Sequence, residues 1–337
     1  MGVTKPLIAV IGTVCLAAAM AASGTAFGAI PLKAQTLADW QQAISRLPEP
    51  GAGCYEASYP MLQWHVARCQ IAPAMPLAPA VGNGKDYSAR VKGTISQATG
   101  SFNDVSPKIT EKGQYGGAGR ELANTYSLQL NTEFFSTPAC AKSSVPARCL
   151  GWQQFVYDSY ANLVFMQYWL INFSATCPPG WISYSSDCYR NSLASTFAGG
   201  RIAAAGLATT RLVGSAVAGG KDEVSLTNGS GKATLVTNSD KVVDLAGVWN
   251  TAEFDVFGDG GGGEAYFGSG TTIESQTTLQ ATSLAAPTCL KQGFTAETNN
   301  LKLTKTPKIG PGVSPTLVSE QTDAAATTAS CAVAAGT

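Results

Sequence analysis

"GWQQFVYD" (151–158) and, four residues further on, "LVFMQYWLINF" (163–173) decide how this chain folds. Neither has the spacing of a helix face. Read with a period of two, Trp152, Gln154 and Val156 fall on one side of the first run and Gln153, Phe155 and Tyr157 on the other. In the second run Phe165, Gln167, Trp169 and Ile171 line up along a single side. Aromatic and β-branched residues at that period make strands. From about residue 84 onward the same texture recurs in "YSARVKGTISQATGSFNDV", "NTYSLQLNTEFF", "KATLVTN", "EFDVFG" and "TTIESQTTLQA". Gly, Asn, Asp, Ser and Pro separate these runs. Many short strands at regular spacing predict an all-β antiparallel sandwich or barrel. One stretch departs from the pattern: "LADWQQAISRLP" (37–48) puts Leu37, Trp40, Ile44 and Leu47 on one face of a short helix.

The chain has 337 residues, 45% of them apolar, enough for one large β domain with extensions. Charged residues are 13%, about half the usual globular share, and 22 basic residues balance 22 acidic ones. With no basic face implied, nucleic acid is not expected as a partner. "MGVTKPLIAVIGTVCLAAAMAASGTAFGA" (1–29) has an early Lys, an apolar stretch and then small residues, which is the pattern of a secretory signal cleaved near Ala26 to Ala29. Its apolar part is short for a membrane span, so the mature chain is expected outside the cell and not in a membrane. Four segments follow: a signal (1–29), an N-terminal arm or propeptide with a disulfide loop (30–83), a sandwich (84–303) and a low-complexity Thr/Ala/Pro/Ser tail (304–337). Oligomeric state is not legible.

Setting aside Cys15 in the signal leaves eight cysteines that fall into local pairs: Cys54 with Cys69, Cys140 with Cys149, Cys177 with Cys188, and Cys289 with Cys331. In an exported chain these read as disulfides paired by proximity. No spacing is C-x-x-C and the single histidine, His65, sits inside the first of these loops, so no cofactor or metal is expected. A histidine-based nucleophile would have to use His65. Chemistry, if present, runs on carboxylates, amides and hydroxyls.

Two strands carry such groups. In "SLQLNTEFF" (127–135) Gln129 shares a face with Ser127, Asn131 and Glu133; in "TAEFDVF" (251–257) Glu253 shares one with Asp255 and Phe257. A carboxylate can activate water and return the proton to a leaving amine, and a side-chain amide can donate to the oxyanion of the tetrahedral intermediate. Glu253 is then either a catalytic group or a solvated strand residue. The amides among aromatics at Trp152, Gln154, Gln167 and Trp169 are either a concave binding surface or hydrogen-bonded positions in a packed core. The glycines of "GDGGGG" (258–263) read as a loose hairpin turn, and Asp255, Asp259 and Glu264 around them as the ligands of a calcium alternative.

Taken in order, these strands resemble the glutamic peptidases of the eqolisin family. "ISQATGSFNDVSP" (95–107) is similar to the family's opening strand, "SLQLNTEFF" to the strand carrying the catalytic glutamine, "GWQQFVYD" to the aromatic strand after it, and "TAEFDVFGDGG" to the strand carrying the catalytic glutamate. The plant neprosin-type glutamic peptidases share the layout with a pair of glutamates. The resemblance spans roughly 84 to 285 and implies a lectin-like (concanavalin-type) sandwich and a secreted acid endopeptidase acting on protein or peptide without a cofactor. It implies Glu253 as general base and then acid, and Gln129 as oxyanion donor. Trp152, Gln154, Gln167 and Trp169 are the expected substrate cleft. The alternatives are a non-catalytic carbohydrate-binding module on the same sandwich, or a structural surface protein.

Overall fold

The computed structural model describes residues 1–2, 33–48, 51–80, 86–291, 293–324 and 331; the expected signal and its cleavage point lie outside the described residues. The fold is a sandwich of two large antiparallel sheets. The front sheet runs in the order Ile182–Tyr184, Asp187–Asn191, Leu163–Ile171, Leu150–Asp158, Tyr126–Thr132, Thr251–Gly258, Ser88–Arg90 and Thr288–Leu290. The back sheet runs His65–Val66, Gly53–Ser58, Lys232–Ser239, Lys221–Thr227, Arg211–Ala216, Ile95–Val105, Thr272–Ala281, Thr316–Thr322 and Lys302–Leu303. Between them lies one core that includes Leu128, Leu130, Phe155, Phe254 and Val256 from the front and Ala98, Leu212, Val224, Val236 and Leu279 from the back.

The sheets approach closely because glycine stands where two front-sheet rings dock. A Cβ on Gly100 would lie 2.0 Å from the ring of Phe254, and one on Gly214 would lie 2.5 Å from Phe155. Back-sheet strands such as Thr272–Ala281 alternate buried and half-exposed residues, as expected when one face meets the core. The central front-sheet strands do not alternate: every residue of Tyr126–Thr132, Leu163–Ile171 and Thr251–Gly258 is buried. Their outer face is therefore covered too, and what covers it determines the site.

The helix forms over Leu37–Ile44, with Thr36 capping Asp39 N–H and with Trp40 and Ile44 fully buried. It packs on the outer face of the back sheet against Tyr55, Ala57, Ala233 and Leu235. Four disulfides join Cys54–Cys69, Cys140–Cys149, Cys177–Cys188 and Cys289–Cys331. The last ties the distal end of the chain to the edge strand Thr288–Leu290.

Three expectations are corrected. The stretch 304–337 is not simply a tail: Lys308–Gly310 and Thr316–Thr322 are back-sheet strands, the latter paired along its length with Thr272–Ala281. The segment expected as an N-terminal arm (30–83) contributes to the sandwich itself, since Gly53–Ser58 pairs with Lys232–Ser239 in the back sheet. The glycine run is not a hairpin turn. Thr251–Gly258 pairs in the front sheet, whereas Glu264–Phe267 leaves to a small separate sheet with Glu111–Gly113, Leu122–Ala123 and Thr298–Asn299.

Candidate active site

Register places six polar residues side by side across the outer face of the front sheet. Asn191 faces Gln167, Gln167 faces Gln154, Gln154 faces Asn131, Asn131 faces Glu253, and Glu253 faces Ser88. Gln129 lies one row away on the same strand as Asn131, opposite Asp255. The two residues expected to act together thus sit on adjacent strands, and Asn131 joins them. Its Nδ2 donates to Glu253 Oε2 at 2.9 Å and to Gln129 Oε1 at 3.3 Å. Gln154 Nε2 also donates to Gln129 Oε1 at 2.9 Å, and Gln129 Nε2 donates to Ser127 Oγ at 2.9 Å. With its oxygen accepting twice, the Gln129 amide is polarised toward stronger donation from nitrogen. The backbone N–H of Phe294 donates a further bond to Glu253 Oε2 at 3.1 Å.

Glu253 is fully buried. Burial above all, and next the Asp86 carboxyl that shares a hydrogen bond with it, raise its pKa well above the usual carboxylate range. Two carboxyls in contact hold one proton between them more readily than none. Asp255 is raised in the same direction, again by burial first and Asp86 second. Among the described residues, Asn131 Oδ1 and Gln154 Oε1 are buried acceptors without a donor. A buried, unsatisfied amide oxygen costs stability, about 1–3 kcal/mol, which a donor from a bound molecule would relieve.

Trp152, Gln154, Gln167 and Trp169 do not line an open cleft; all four are fully buried. The cover is the chain itself. "APAMPLAPA" (72–80) crosses the outer face as an extended strap, with prolines at 73, 76 and 79. Gln167 grips it by the main chain: Leu77 N–H donates to Gln167 Oε1 at 2.8 Å, and Gln167 Nε2 donates to Met75 O at 2.9 Å. Asn191 Nδ2 donates to Pro73 O at 2.7 Å and the Tyr189 hydroxyl to Ala74 O at 3.1 Å. Trp169 Nε1 in turn donates to Gln167 Oε1 at 2.9 Å, fixing the amide.

A second extended piece, Phe294–Glu297, runs antiparallel to the strap. Ala80 N–H donates to Phe294 O at 3.0 Å and Ala296 N–H to Ala78 O at 2.8 Å. Glu297, also fully buried, accepts from Ala78 N–H at 3.3 Å and from Gly262 N–H at 2.9 Å. Here the glycine run has its use. Gly261 N–H donates to Pro76 O at 2.9 Å, and at φ 61° a Cβ there would meet Gly116 O at 2.2 Å. The aromatics pack under the cover, Trp169 stacked on Tyr189 at 5.1 Å and Trp152 against Phe134 at 5.7 Å. A cavity of about 670 Å³ lined by Thr132, Phe134, Trp249 and Asn250 opens where the strands of Asn131 and Glu253 end.

Asp86, Asn191, Glu297 and the strap were not singled out in the sequence. A proline at every third position of "APAMPLAPA" was the available signal, since such a segment stays extended yet has too few N–H groups for a sheet. His65 is exposed within its disulfide loop. No group of three His, Cys, Asp or Glu side chains among the described residues is arranged to hold a metal ion, so the calcium alternative at Asp255, Asp259 and Glu264 finds no support.

No family model and no curated protein sequence matches the chain. Two solved structures are similar in fold. One is Scytalido-glutamic peptidase with a peptide-based transition state analog, at 10% identity and TM-score 0.27 over 71% of this chain and 98% of that one. The other is SCP-B, a member of the Eqolisin family of peptidases, in complex with the tripeptide Ala-Ile-His, at 10% identity and TM-score 0.29 over 69% of this chain and 97% of that one. At 10% identity no site residue transfers from either, so what this chain does is read from its own side chains.

Proposed function

We propose that this chain is a glutamic-type endopeptidase whose cleft is held shut by its own strap. One observation carries the reading: the occupant of the polar row is a peptide. The strap's main chain is held through its N–H and C=O groups by Gln167 and Asn191, as a protein substrate would be, and toward the other end of the same row the main-chain N–H of Phe294 sits on the Glu253 carboxyl. A carbohydrate-binding surface would have no need of a buried carboxyl pair.

In the opened site a water bound between Glu253 and the substrate carbonyl gives a proton to the Glu253 carboxylate as its oxygen adds to the carbonyl carbon. The carbonyl π electrons move to oxygen, where the Gln129 amide donates to the oxyanion. Collapse of that intermediate breaks the C–N bond, and the proton on Glu253 passes to the departing nitrogen. With the strap released, water reaches Glu253 and the single proton of the pair rests on Asp86, which leaves Glu253 as the carboxylate this step needs. Trp152, Gln154, Gln167 and Trp169 form the substrate bed, Gln167 reading the main chain and Gln154 polarising Gln129.

The test is kinetic and uses full-length protein with a specific-protease recognition sequence inserted after Ala80, then cut to release the strap. Gln129→Ala in this opened protein should lower kcat about 10²–10³-fold, or about 2.7–4 kcal/mol of transition-state stabilisation, with KM little changed. Unchanged kcat in a folded variant would remove Gln129 from the mechanism.

A further inference from the structure

A second site lies on the far side of the molecule, on the outer face of the back sheet. There the helix Leu37–Ile44 and the turn Ala204–Thr209 wall a groove of about 570 Å³, within the size range of small-molecule sites. Its floor is a lattice of cross-strand rows, Arg211–Ser101–Gln276 and Val213–Thr99–Thr278, followed by Gln97 beside Gln280. Neighbouring strands stand about 4.8 Å apart, so the rows present closely spaced hydroxyl and amide groups.

The walls are built in advance. Gln41, itself buried, donates through Nε2 to Thr209 O at 3.0 Å, tying the helix to the turn. Gln97 Nε2 donates to Ser45 O at 3.1 Å, tying the end of the helix to the floor, and Gln280 Nε2 donates to Gln97 Oε1 at 2.8 Å. Gln276 Nε2 donates to Thr278 Oγ1 at 2.8 Å, which leaves that hydroxyl proton for a ligand.

The charge is one-sided. Arg46 on the helix side and Arg211 on the floor both line the groove, and among the described residues no Asp or Glu does. Among the described residues neither guanidinium has an ion pair or a hydrogen-bond acceptor. The ion pairs the fold does form, such as Arg90–Glu133 and Lys305–Glu320, lie elsewhere. Two guanidinium forks suit a carboxylate or sulfate. They are too few for a polyphosphate backbone, which needs a dense basic stripe. The rest of the lining is neutral donors and acceptors interleaved with apolar surface at Leu37, Ala38, Ala208 and Val213, the complement of a ring that carries several hydroxyls and C–H faces.

We propose that this groove binds a short acidic saccharide, its carboxylates or sulfates met by Arg46 and Arg211 and its hydroxyls on the Gln97, Thr99, Gln276 and Thr278 lattice. This does not depend on the peptidase reading, because the groove shares no residue with the polar row. The experiment is isothermal titration calorimetry of the full chain against digalacturonate, its methyl diester, a sulfated disaccharide and triglutamate. Digalacturonate or the sulfated disaccharide should bind, and whichever binds identifies the anionic group. Arg211→Gln and Arg46→Gln should each weaken that binding about tenfold at unchanged melting temperature, and the methyl diester should bind at least about tenfold more weakly than the acid. The proposal is overturned if neither sugar binds at millimolar concentration, if both arginine variants bind as the parent does, or if triglutamate binds as tightly as the sugars.

Discussion

At the scale of single residues, Glu253 is set apart from an ordinary core polar group by the company it keeps. It accepts from Asn131 and from Phe294 N–H while sharing a hydrogen bond with Asp86. Burial and Asp86 hold it protonated, so a neutral amide of the same shape is a close replacement in the folded chain. Glu253→Gln should therefore change stability by less than about 1 kcal/mol, whereas Glu253→Ala strands two donors and should cost about 2–5 kcal/mol by chemical denaturation. If Glu253→Gln were as damaging as Glu253→Ala, the carboxyl would be ionised in the fold and the paired-proton account would fail. The faces of Gln129 and Glu253 could be assigned because strands have a period of two, and the pair was singled out for chemistry that would suffice for hydrolysis. Asn131 was visible only as a neighbour of Gln129, and Asp86 not at all. Which residue stands opposite which depends on strand order, and no single strand encodes that.

At the scale of elements, the strap and the glycine run explain each other. "APAMPLAPA" has too few N–H groups to join a ladder, so side-chain amides from the front sheet meet its carbonyls instead. Gly261 supplies a main-chain N–H at a point where any side chain would collide with Gly116. Gln167→Ala deletes a side chain that both accepts from and donates to the strap main chain. It should cost about 1–3 kcal/mol locally and speed proteolytic cleavage within 72–80 severalfold, with the core strands still protected from hydrogen exchange. Cleavage at the parent rate would mean the strap is held by its apolar contacts alone. The strands themselves were readable from alternation, and the helix from its single apolar stripe. Hydrophobic pattern did not find the strap, which buries little apolar surface beyond Ala72, Leu77 and Ala78. Nor did it place Thr316–Thr322 in the back sheet, because Thr, Ser and Gln on a half-exposed strand look like low complexity.

At the scale of the whole molecule, buried carboxyls dominate the electrostatics. Burial pushes Glu111 up to about 8, Asp222 up to about 8 with help from Asp240, and Asp158 up to about 6; Asp259 is raised by burial and then by its neighbour Asp158. Each group prefers its protonated form in the fold, so the folded chain binds more protons than the unfolded one between the ordinary carboxylate range and these values. That stabilisation is whole below about pH 4 and is lost as pH rises through about 6 to 8, at about 1.4 kcal/mol for each tenfold change in proton affinity. The melting temperature should therefore be highest in acid and fall steadily toward pH 8, a profile suited to an acid environment; a maximum at neutral pH would contradict it. Four disulfides, at about 2–4 kcal/mol apiece, hold the fold while these groups titrate and are consistent with an oxidising, extracellular setting. Among the described residues no helix is long and apolar enough to cross a membrane. The measurement that bears most directly on the central claim compares hydrolysis of a denatured protein by three samples: the intact chain, the chain cut after Ala80, and the cut chain carrying Glu253→Gln, from pH 2 to 8 with a chelator present. The account expects hydrolysis in acid from the cut chain alone. Equal activity from the cut Glu253→Gln chain, or none from a cut chain whose strap has become accessible to protease, would contradict it.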